Sequence, residues 1–268
     1  MLIVLSPSKT LRDSESVPKN EPPLLDGKCS QPEHLDDAAR LMGHLQRLSP
    51  AKLSKLMGIS DKLAAEVDGY NQAWQTPFTA KNSRPALLTF LGDVYEGLAA
   101  EEFKQRDLKY SQQHLRILSG LYGLLRPLDL FQSYRLEMGC KLSQATGPAA
   151  GRFKNLYDFW GERIRESVTA ALSDQGDDVL INLASNEYFK SVQPKQLDAR
   201  VITPAFKEMK NGKYKVLSFF AKKARGQMSR FVLLNRLSDP KELQDFKEDD
   251  YRFNKELSSD NEPVFTRG

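Results

Sequence analysis

The chain has 268 residues, of which 40% are hydrophobic and 28% are charged. This apolar fraction excludes a disordered chain, and counts of 16 glycines and 14 prolines exclude collagen-like and low-complexity sequences. The 39 Lys and Arg residues exceed the 35 Asp and Glu residues by a formal net charge of +4, which alone is too small to indicate a nucleic-acid-binding protein.

The sequence contains no run of 18 apolar residues and therefore no predicted membrane span. Its first seven residues have neither the basic flank nor the small-residue cleavage site of a signal peptide. Cys29 and Cys140 are far apart and form no Cys-x-x-Cys pair, which favours two reduced thiols over a disulfide scaffold. We therefore expect a cytoplasmic protein that has no membrane partner.

Apolar runs and helical spacing alternate along the chain. Residues 2–5 form a short continuous apolar run, typical of a strand buried on both faces, and residues 179–184 form a second. Apolar residues three and four positions apart predict helices over residues 36–48, 52–57, 61–70, 112–125 and 156–172. Two polar stretches, 13–34 and 145–151, are predicted surface loops.

A β-hairpin is predicted at Asn211-Gly212. These residues tolerate the positive φ angles of a type I′ turn, and they lie between the strand-like runs 200–206 and 213–220. Strands mixed with helices favour an α/β (α+β mixed) fold, in which a mixed sheet is flanked by helices. The sequence shows no internal repeat and no clear domain boundary.

Positive charge is concentrated in one segment, residues 205–236. The segment contains a single acidic residue, Glu208, and nine basic ones: Lys207, Lys210, Lys213, Lys215, Lys222, Lys223, Arg225, Arg230 and Arg236. It therefore carries +8 while the rest of the chain carries −4. Such an asymmetry is typical of a face that binds a polyanion.

The last part of this segment, residues 221–237, is a predicted amphipathic helix. Ala224, Met228 and Phe231 share one apolar face. The opposite side carries basic residues that could contact phosphates. These residues are Lys222, Lys223 and Arg230. The alternative is an ordinary solvated basic face.

Residues 53–64 resemble a helix-hairpin-helix motif, in which backbone N–H groups at the start of the second helix meet a phosphate. Gly58 supplies the tight turn, and Ala64 allows the two helices to approach closely. Ser60 stands where the motif normally has its second glycine, and its hydroxyl could cap the second helix instead. The surrounding basic residues are Lys52, Lys55 and Lys62. The alternative is a plain αα-hairpin that packs on the core.

Polar loops follow both buried runs, at residues 6–10 and 185–188. If the two strands are parallel neighbours, both loops lie at the carboxyl edge of the sheet, where α/β proteins bind ligands. Lys9, Ser185 and Glu187 could then form a polar site, and a Ser-Lys pair can act as nucleophile and base. Further positive charge could come from Arg116, Arg126 or Arg135. The alternative is that these loops only secure helix N-termini.

Motifs for common cofactors and metals are absent from the sequence. It contains no P-loop, no dinucleotide-binding glycine motif, no nucleophile elbow and no His-Glu-x-x-His. None of the three histidines, His34, His44 and His114, has the Glu-x-x-His spacing of a di-iron bundle. We therefore predict no metal site and no cofactor.

Twelve short motifs follow one another along the chain. They are SPSKT from Ser6, ISDKLA from Ile59, GDVY from Gly92, HLR from His114, SGLYG from Ser119, LRPLD from Leu125, YRLEMG from Tyr134, LYDFW from Leu156, INLAS from Ile181, EYFK from Glu187, AKKARG from Ala221 and MSRF from Met228. This series resembles the YaaA family of bacterial peroxide stress proteins, and the resemblance runs from Leu2 to about Phe265.

The resemblance implies a cytosolic protein that helps cells survive hydrogen peroxide by limiting free iron and hence Fenton damage to DNA. It further implies one α/β domain over residues 1–268, with a helix-hairpin-helix-like element at about 48–74 and a positively charged cleft that binds duplex or branched DNA. Carried onto this sequence, the hairpin is residues 58–62. The cleft draws on Lys9, Arg116, Lys222, Lys223, Arg225 and Arg230. The family has no settled reaction, so no catalytic residue is assigned.

Three hypotheses follow for the function. The first is DNA binding with little sequence specificity, which affects iron only indirectly. The second is an enzyme that acts on a phosphate-bearing nucleotide or nucleic acid at the site of Lys9, Ser185 and Glu187. The third is direct iron sequestration by carboxylates of residues 245–250, which suit hard cations if they converge. The preferred DNA structure and the oligomeric state are left open.

Overall fold

The computed structural model describes residues 1–12, 29–144 and 152–268 and confirms the predicted mixed α/β fold. The helices of this part of the chain are α1 (Leu35–Leu45), α2 (Pro50–Met57), α3 (Asp61–Ala73), α4 (Ala86–Thr89), α5 (Asp93–Leu98), α6 (Gln105–His114), α7 (Leu156–Trp160), α8 (Arg163–Gln175), α9 (Asn186–Phe189) and α10 (Ser218–Asn235). None of them is long and apolar enough to cross a membrane. The predicted loop 145–151 lies outside the described residues, as does most of the loop 13–34.

Eleven strands are present in the described residues. They are β1 (Leu2–Leu5), β2 (Arg84–Pro85), β3 (Leu115–Ser119), β4 (Gly123–Leu125), β5 (Leu130–Phe131), β6 (Val179–Asn182), β7 (Arg200–Ile202), β8 (Ala205–Lys210), β9 (Lys213–Lys215), β10 (Arg252–Phe253) and β11 (Val264–Arg267). They form a five-stranded sheet, a four-stranded sheet and a short antiparallel pair of β2 with β5.

The central sheet has the strand order β4-β3-β1-β6-β7. Strand β1 lies in its middle and pairs in parallel with β3 and with β6, where Leu2 is opposite Leu180 and Val4 is opposite Asn182. All four residues of β1 are buried, as the continuous apolar run predicts for a strand covered on both faces. The two buried runs are therefore parallel neighbours.

Two predicted helices are wrong in extent or type. Residues 112–125 hold only the end of α6, followed by the antiparallel strands β3 and β4, which turn at Gly123 with a φ of 68°. Apolar spacing in a short segment fits helix and strand alike, and pairing with β1 decides for the strand. Residues 156–172 form two helices instead of one, because the first helix ends at Gly161, where φ is 52°.

The second sheet has the order β10-β11-β8-β9 and contains the predicted hairpin. Asn211 and Gly212 connect β8 to β9 with φ angles of 54° and 71°, as a type I′ turn requires. The predicted first strand, 200–206, is divided, because β7 joins the central sheet and β8 joins the second. Only two residues separate β9 from α10, which starts earlier than predicted, at Ser218.

Helices α5 and α10 pack against each other through glycines. A Cβ atom on Gly226 would lie 1.8 Å from the carbonyl oxygen of Val94, and one on Gly97 would lie 2.2 Å from that of Lys223. The two backbones therefore touch without intervening side chains. This contact fixes the first half of α10 beside the start of α5.

Candidate functional site

A cleft of about 510 Å³ opens at the carboxyl ends of β1 and β6. We call it the strand-edge cleft. Its walls are the loop 6–10, residues 91–95 at the start of α5, and the side chains of Glu137, Ser185, Glu187, Lys222 and Arg225. After β1 the chain leads to β3 on one side, whereas after β6 it leads to β7 on the other. Open α/β sheets bind ligands where the connections diverge in this way.

Ser6 and Ser185 join the two loops that form the floor of the cleft. The Ser185 N–H donates to Ser6 Oγ at 2.8 Å, and Ser6 Oγ lies 3.3 Å from Ser185 Oγ. Tyr95 donates its hydroxyl hydrogen to the carbonyl oxygen of Ser6 at 3.0 Å. These bonds hold the ends of β1 and β6 together, so both serines have a structural role.

The predicted site at Lys9, Ser185 and Glu187 comes together in the strand-edge cleft, but not as a Ser-Lys pair. Lys9 Nζ forms an ion pair with Glu137 Oε2 at 2.6 Å, and within the described residues it makes no hydrogen bond to a serine. Glu137 is not among the predicted site residues. It lies in the YRLEMG motif, which was the available signal.

Glu187 accepts hydrogen bonds at its carboxylate and at its main-chain carbonyl. Its Oε1 accepts a hydrogen bond from the Gly139 N–H at 2.8 Å, and the Tyr157 hydroxyl donates to its carbonyl oxygen at 2.9 Å. Burial, reinforced by the nearby Glu187 carboxylate, raises the pKa of Tyr157, so this hydroxyl keeps its proton. The Glu187 side chain is exposed and lines the cleft.

Three of the six predicted cleft cations line the strand-edge cleft. They are Lys9, Lys222 and Arg225. Lys222 lies 3.9 Å from Asp93, a residue that the sequence analysis did not single out. Arg225 is half-buried, and its guanidinium makes no ion pair or hydrogen bond with any described residue. Burial lowers the pKa of this guanidinium.

The other three cations have partners elsewhere. Arg116 is not in the cleft, because its Nη1 donates to the carbonyl oxygens of Gln112, Gln113 and Leu115, and burial lowers its pKa to about 10. Lys223 binds Asp249 at 2.8 Å. Arg230 binds Glu102 at 2.7 Å and also donates to the carbonyl oxygens of Leu98 and Ala99. All three side chains are thus engaged by protein groups in this structure, and their predicted phosphate contacts stay a prediction.

Helices α2 and α3 form a tight hairpin, which we call the α2–α3 hairpin. Gly58 takes the left-handed conformation with a φ of 62°, and Ser60 Oγ accepts a hydrogen bond from the Leu63 N–H at 3.3 Å. The predicted cap is therefore present. The N–H groups of Asp61 and Lys62 form no hydrogen bond with the described residues. Three exposed lysines surround the turn and form no ion pair with the described residues. They are Lys52, Lys55 and Lys62.

The α2–α3 hairpin and the strand-edge cleft are connected. The Cys140 thiol donates to the carbonyl oxygen of Leu56, near the end of α2, at 3.7 Å. Cys140 directly follows Gly139, whose N–H binds Glu187. Burial raises the pKa of Cys140, so its thiol is not an activated nucleophile.

Carboxylates of residues 245–250 do not assemble a metal site. Asp249 is engaged by Lys223, and its pKa is lowered mainly by that hydrogen bond. No group of three or more His, Cys, Asp or Glu side chains in the described parts of the chain could hold a metal ion. The hypothesis of direct iron sequestration receives no support from this geometry.

The fold and these features define a mixed α/β protein with a charged cleft at the switch point of its central sheet and a lysine-bearing helical hairpin beside it. Residues 1–257 match the family model described as peroxide stress protein YaaA, and the chain belongs to this family. The match confirms the resemblance that the ordered motifs indicated.

Proposed function

We propose that this member of a peroxide stress family binds duplex or branched DNA with little sequence specificity. The observation that carries the proposal is the α2–α3 hairpin. It combines unbonded N–H groups at the start of α3 with lysines that no described carboxylate neutralises. A helix N-terminus of this kind suits a phosphate oxygen, and flanking lysines add charge attraction.

Further positive charge for DNA binding is available on a second hairpin. The β8–β9 hairpin carries Lys210, Lys213 and Lys215, all exposed and without an ion pair in the described residues. The neighbouring Phe219 is 60% exposed, and an exposed aromatic ring beside lysines can stack on an unpaired base. Contacts of these kinds engage phosphates or any base face, so we expect little dependence on sequence.

A salt series tests DNA binding. We expect the affinity for duplex and four-way junction DNA to fall steeply with salt, by about 0.9 log units per log unit of salt for each phosphate contact. The double variant Lys55→Glu and Lys62→Glu should weaken binding for all sequences alike. Lys255→Glu is the control, since Lys255 is an exposed lysine outside both the α2–α3 hairpin and the β8–β9 hairpin. Affinity that is flat with salt, or equal losses in both variants, would contradict the proposal.

We further propose that the protein limits free iron, and hence Fenton damage to DNA, by an indirect route. The family's role in peroxide stress supports the link to oxidative damage. In the described residues no side-chain group suits a metal ion, which favours an indirect effect. Electron paramagnetic resonance of chelatable iron in peroxide-treated cells tests this, with the expectation of more free iron when the protein is deleted. Equal iron with and without the protein would exclude the route.

The second candidate function is an enzyme that acts on a phosphate-bearing nucleotide or nucleic acid in the strand-edge cleft. The observation that favours it is the convergence of Lys9, Ser185 and Glu187 at the switch point of the sheet. A Lys9→Ala variant tests it. If it keeps full DNA affinity but loses peroxide protection, the cleft has a function separate from DNA binding, whereas unchanged protection would exclude this candidate.

A further inference from the structure

Two charged side chains in the strand-edge cleft lack a partner of opposite charge in the described structure. The cleft's other charges are paired, Lys9 with Glu137 at 2.6 Å and Lys222 with Asp93 at 3.9 Å. Arg225 and Glu187 remain. One cation and one anion are therefore available to a ligand in the same cleft.

The guanidinium of Arg225 is suited to bind an anion. It offers five N–H donors in a planar fork that matches a phosphate, and none of them has an acceptor in the described part of the chain. A half-buried charge without partners is unfavourable, and burial lowers the pKa of this group. A bound phosphate would supply the missing acceptors.

Glu187 is positioned to accept a hydrogen bond. The Gly139 N–H holds its Oε1 at 2.8 Å, and a Cβ on Gly139 would lie only 3.0 Å from this oxygen. Glycine thus permits the close approach that orients the carboxylate. Its second oxygen, Oε2, has no partner in the described residues and can accept a hydrogen from a ligand.

We infer that the strand-edge cleft binds a mononucleotide, with the phosphate on Arg225 and an amino group of the base on Glu187. The two side chains form no ion pair with each other, so each is available to a different end of one ligand. Leu91, Leu183 and Tyr188 add apolar surface for the base, and 510 Å³ lies within the usual range of small-molecule sites. The inference shares with the second candidate function only the location of the ligand in the strand-edge cleft. It does not require that the bound nucleotide react.

Calorimetric titration of the full chain with adenosine monophosphate and inosine monophosphate tests this assignment. These nucleotides are alike in size, but the first has an amino group where the second has a carbonyl oxygen. We expect one adenosine monophosphate per chain and at least tenfold weaker binding of inosine monophosphate. Arg225→Gln should weaken both by at least tenfold, and Glu187→Gln should remove the preference. The control Lys255→Gln should bind as the wild type does.

Folding of the Arg225 variants can be checked independently. Because the Arg225 guanidinium has no partner in the described residues, Arg225→Gln should keep or raise the thermal midpoint, and Arg225→Lys should give intermediate affinity. Absence of binding at millimolar nucleotide, or unchanged affinity in Arg225→Gln, would overturn the inference. A competition experiment gives a further outcome. If duplex DNA still displaces the nucleotide in the double variant Lys55→Glu and Lys62→Glu, the cleft is a DNA site and the inference is overturned. DNA affinity in the same variants reports separately on the proposed DNA binding.

Discussion

Replacing Gly226 by alanine tests whether α10 is held against α5 by backbone contact. The new Cβ would lie 1.8 Å from the carbonyl oxygen of Val94 and 2.8 Å from the Leu98 nitrogen. Ordinary Cβ contacts are 3.4 Å or longer, so the two helices would have to separate by more than an ångström. Neither obstacle is a side chain that can rotate away.

The cost follows from this geometry. Overpacking of a core costs about 1–3 kcal/mol, and a rigid backbone obstacle places Gly226→Ala at the upper end. For a chain of this size we expect the thermal midpoint to fall by roughly 6–12 °C, at about 2–4 °C per kcal/mol. Gly69→Ala in α3 is the matched control, since a Cβ there meets nothing within 4 Å. Alanine at such a helical site should stabilise by about 1 kcal/mol.

Thermal and urea unfolding of the two variants, followed by circular dichroism, provides the measurement. Opposite signs for the two alanines are expected: destabilisation at Gly226 and stabilisation at Gly69. If Gly226→Ala unfolds at the same temperature as wild type or above it, the helices are not in backbone contact. The role assigned to this contact in placing Lys222 and Arg225 would then be refuted.

Three further predictions concern the helix cap, the histidines and the ion pair of α10. Ser60→Ala should lower the free energy of unfolding by about 1 kcal/mol, because it removes the acceptor for the Leu63 N–H, whereas Ser60→Gly should cost only a few tenths; urea unfolding checks both. Burial lowers the pKa of His44 and of His114, so the unfolded chain takes up protons more readily, and stability should fall as the pH drops below about 6.5. A double His→Gln variant should flatten the stability profile between pH 5 and pH 7, and an unchanged profile would assign the loss to other groups. Asp249→Asn should release Lys223 from its ion pair and strengthen DNA binding at low salt but not at high salt. A DNA titration at both salt concentrations checks this, and unchanged affinity at low salt would show that Lys223 does not contact DNA.

Elements with a strong local signal could be predicted from the sequence. The apolar runs of β1 and β6 are typical of strands covered on both faces, and Asn211-Gly212 favours a type I′ turn by its residue types alone. The helix prediction over 112–125 failed, because its spacing suits either structure and the decision comes from β1, more than a hundred residues away.

The sequence predicts how many basic residues the candidate site has, but not which of them are free of protein partners and can bind a ligand. Arg230 binds Glu102, which is 128 residues away in sequence, and Arg116 donates to carbonyl oxygens at the end of α6. Counting basic residues cannot reveal such partners. Arg225 lies in the same basic segment, but only the structure shows that it is unpaired within the described residues.

The short connection between β9 and α10 ties two separate surfaces to one rigid element. Lys213 and Lys215 stand before the connection, and Lys222 and Arg225 follow it on the first turns of α10. Because the connection is so short, one helix sets the positions of the β8–β9 lysines and of the cleft cations. Helix α10 thus determines the spacing between the cations of the cleft and those of the outer surface.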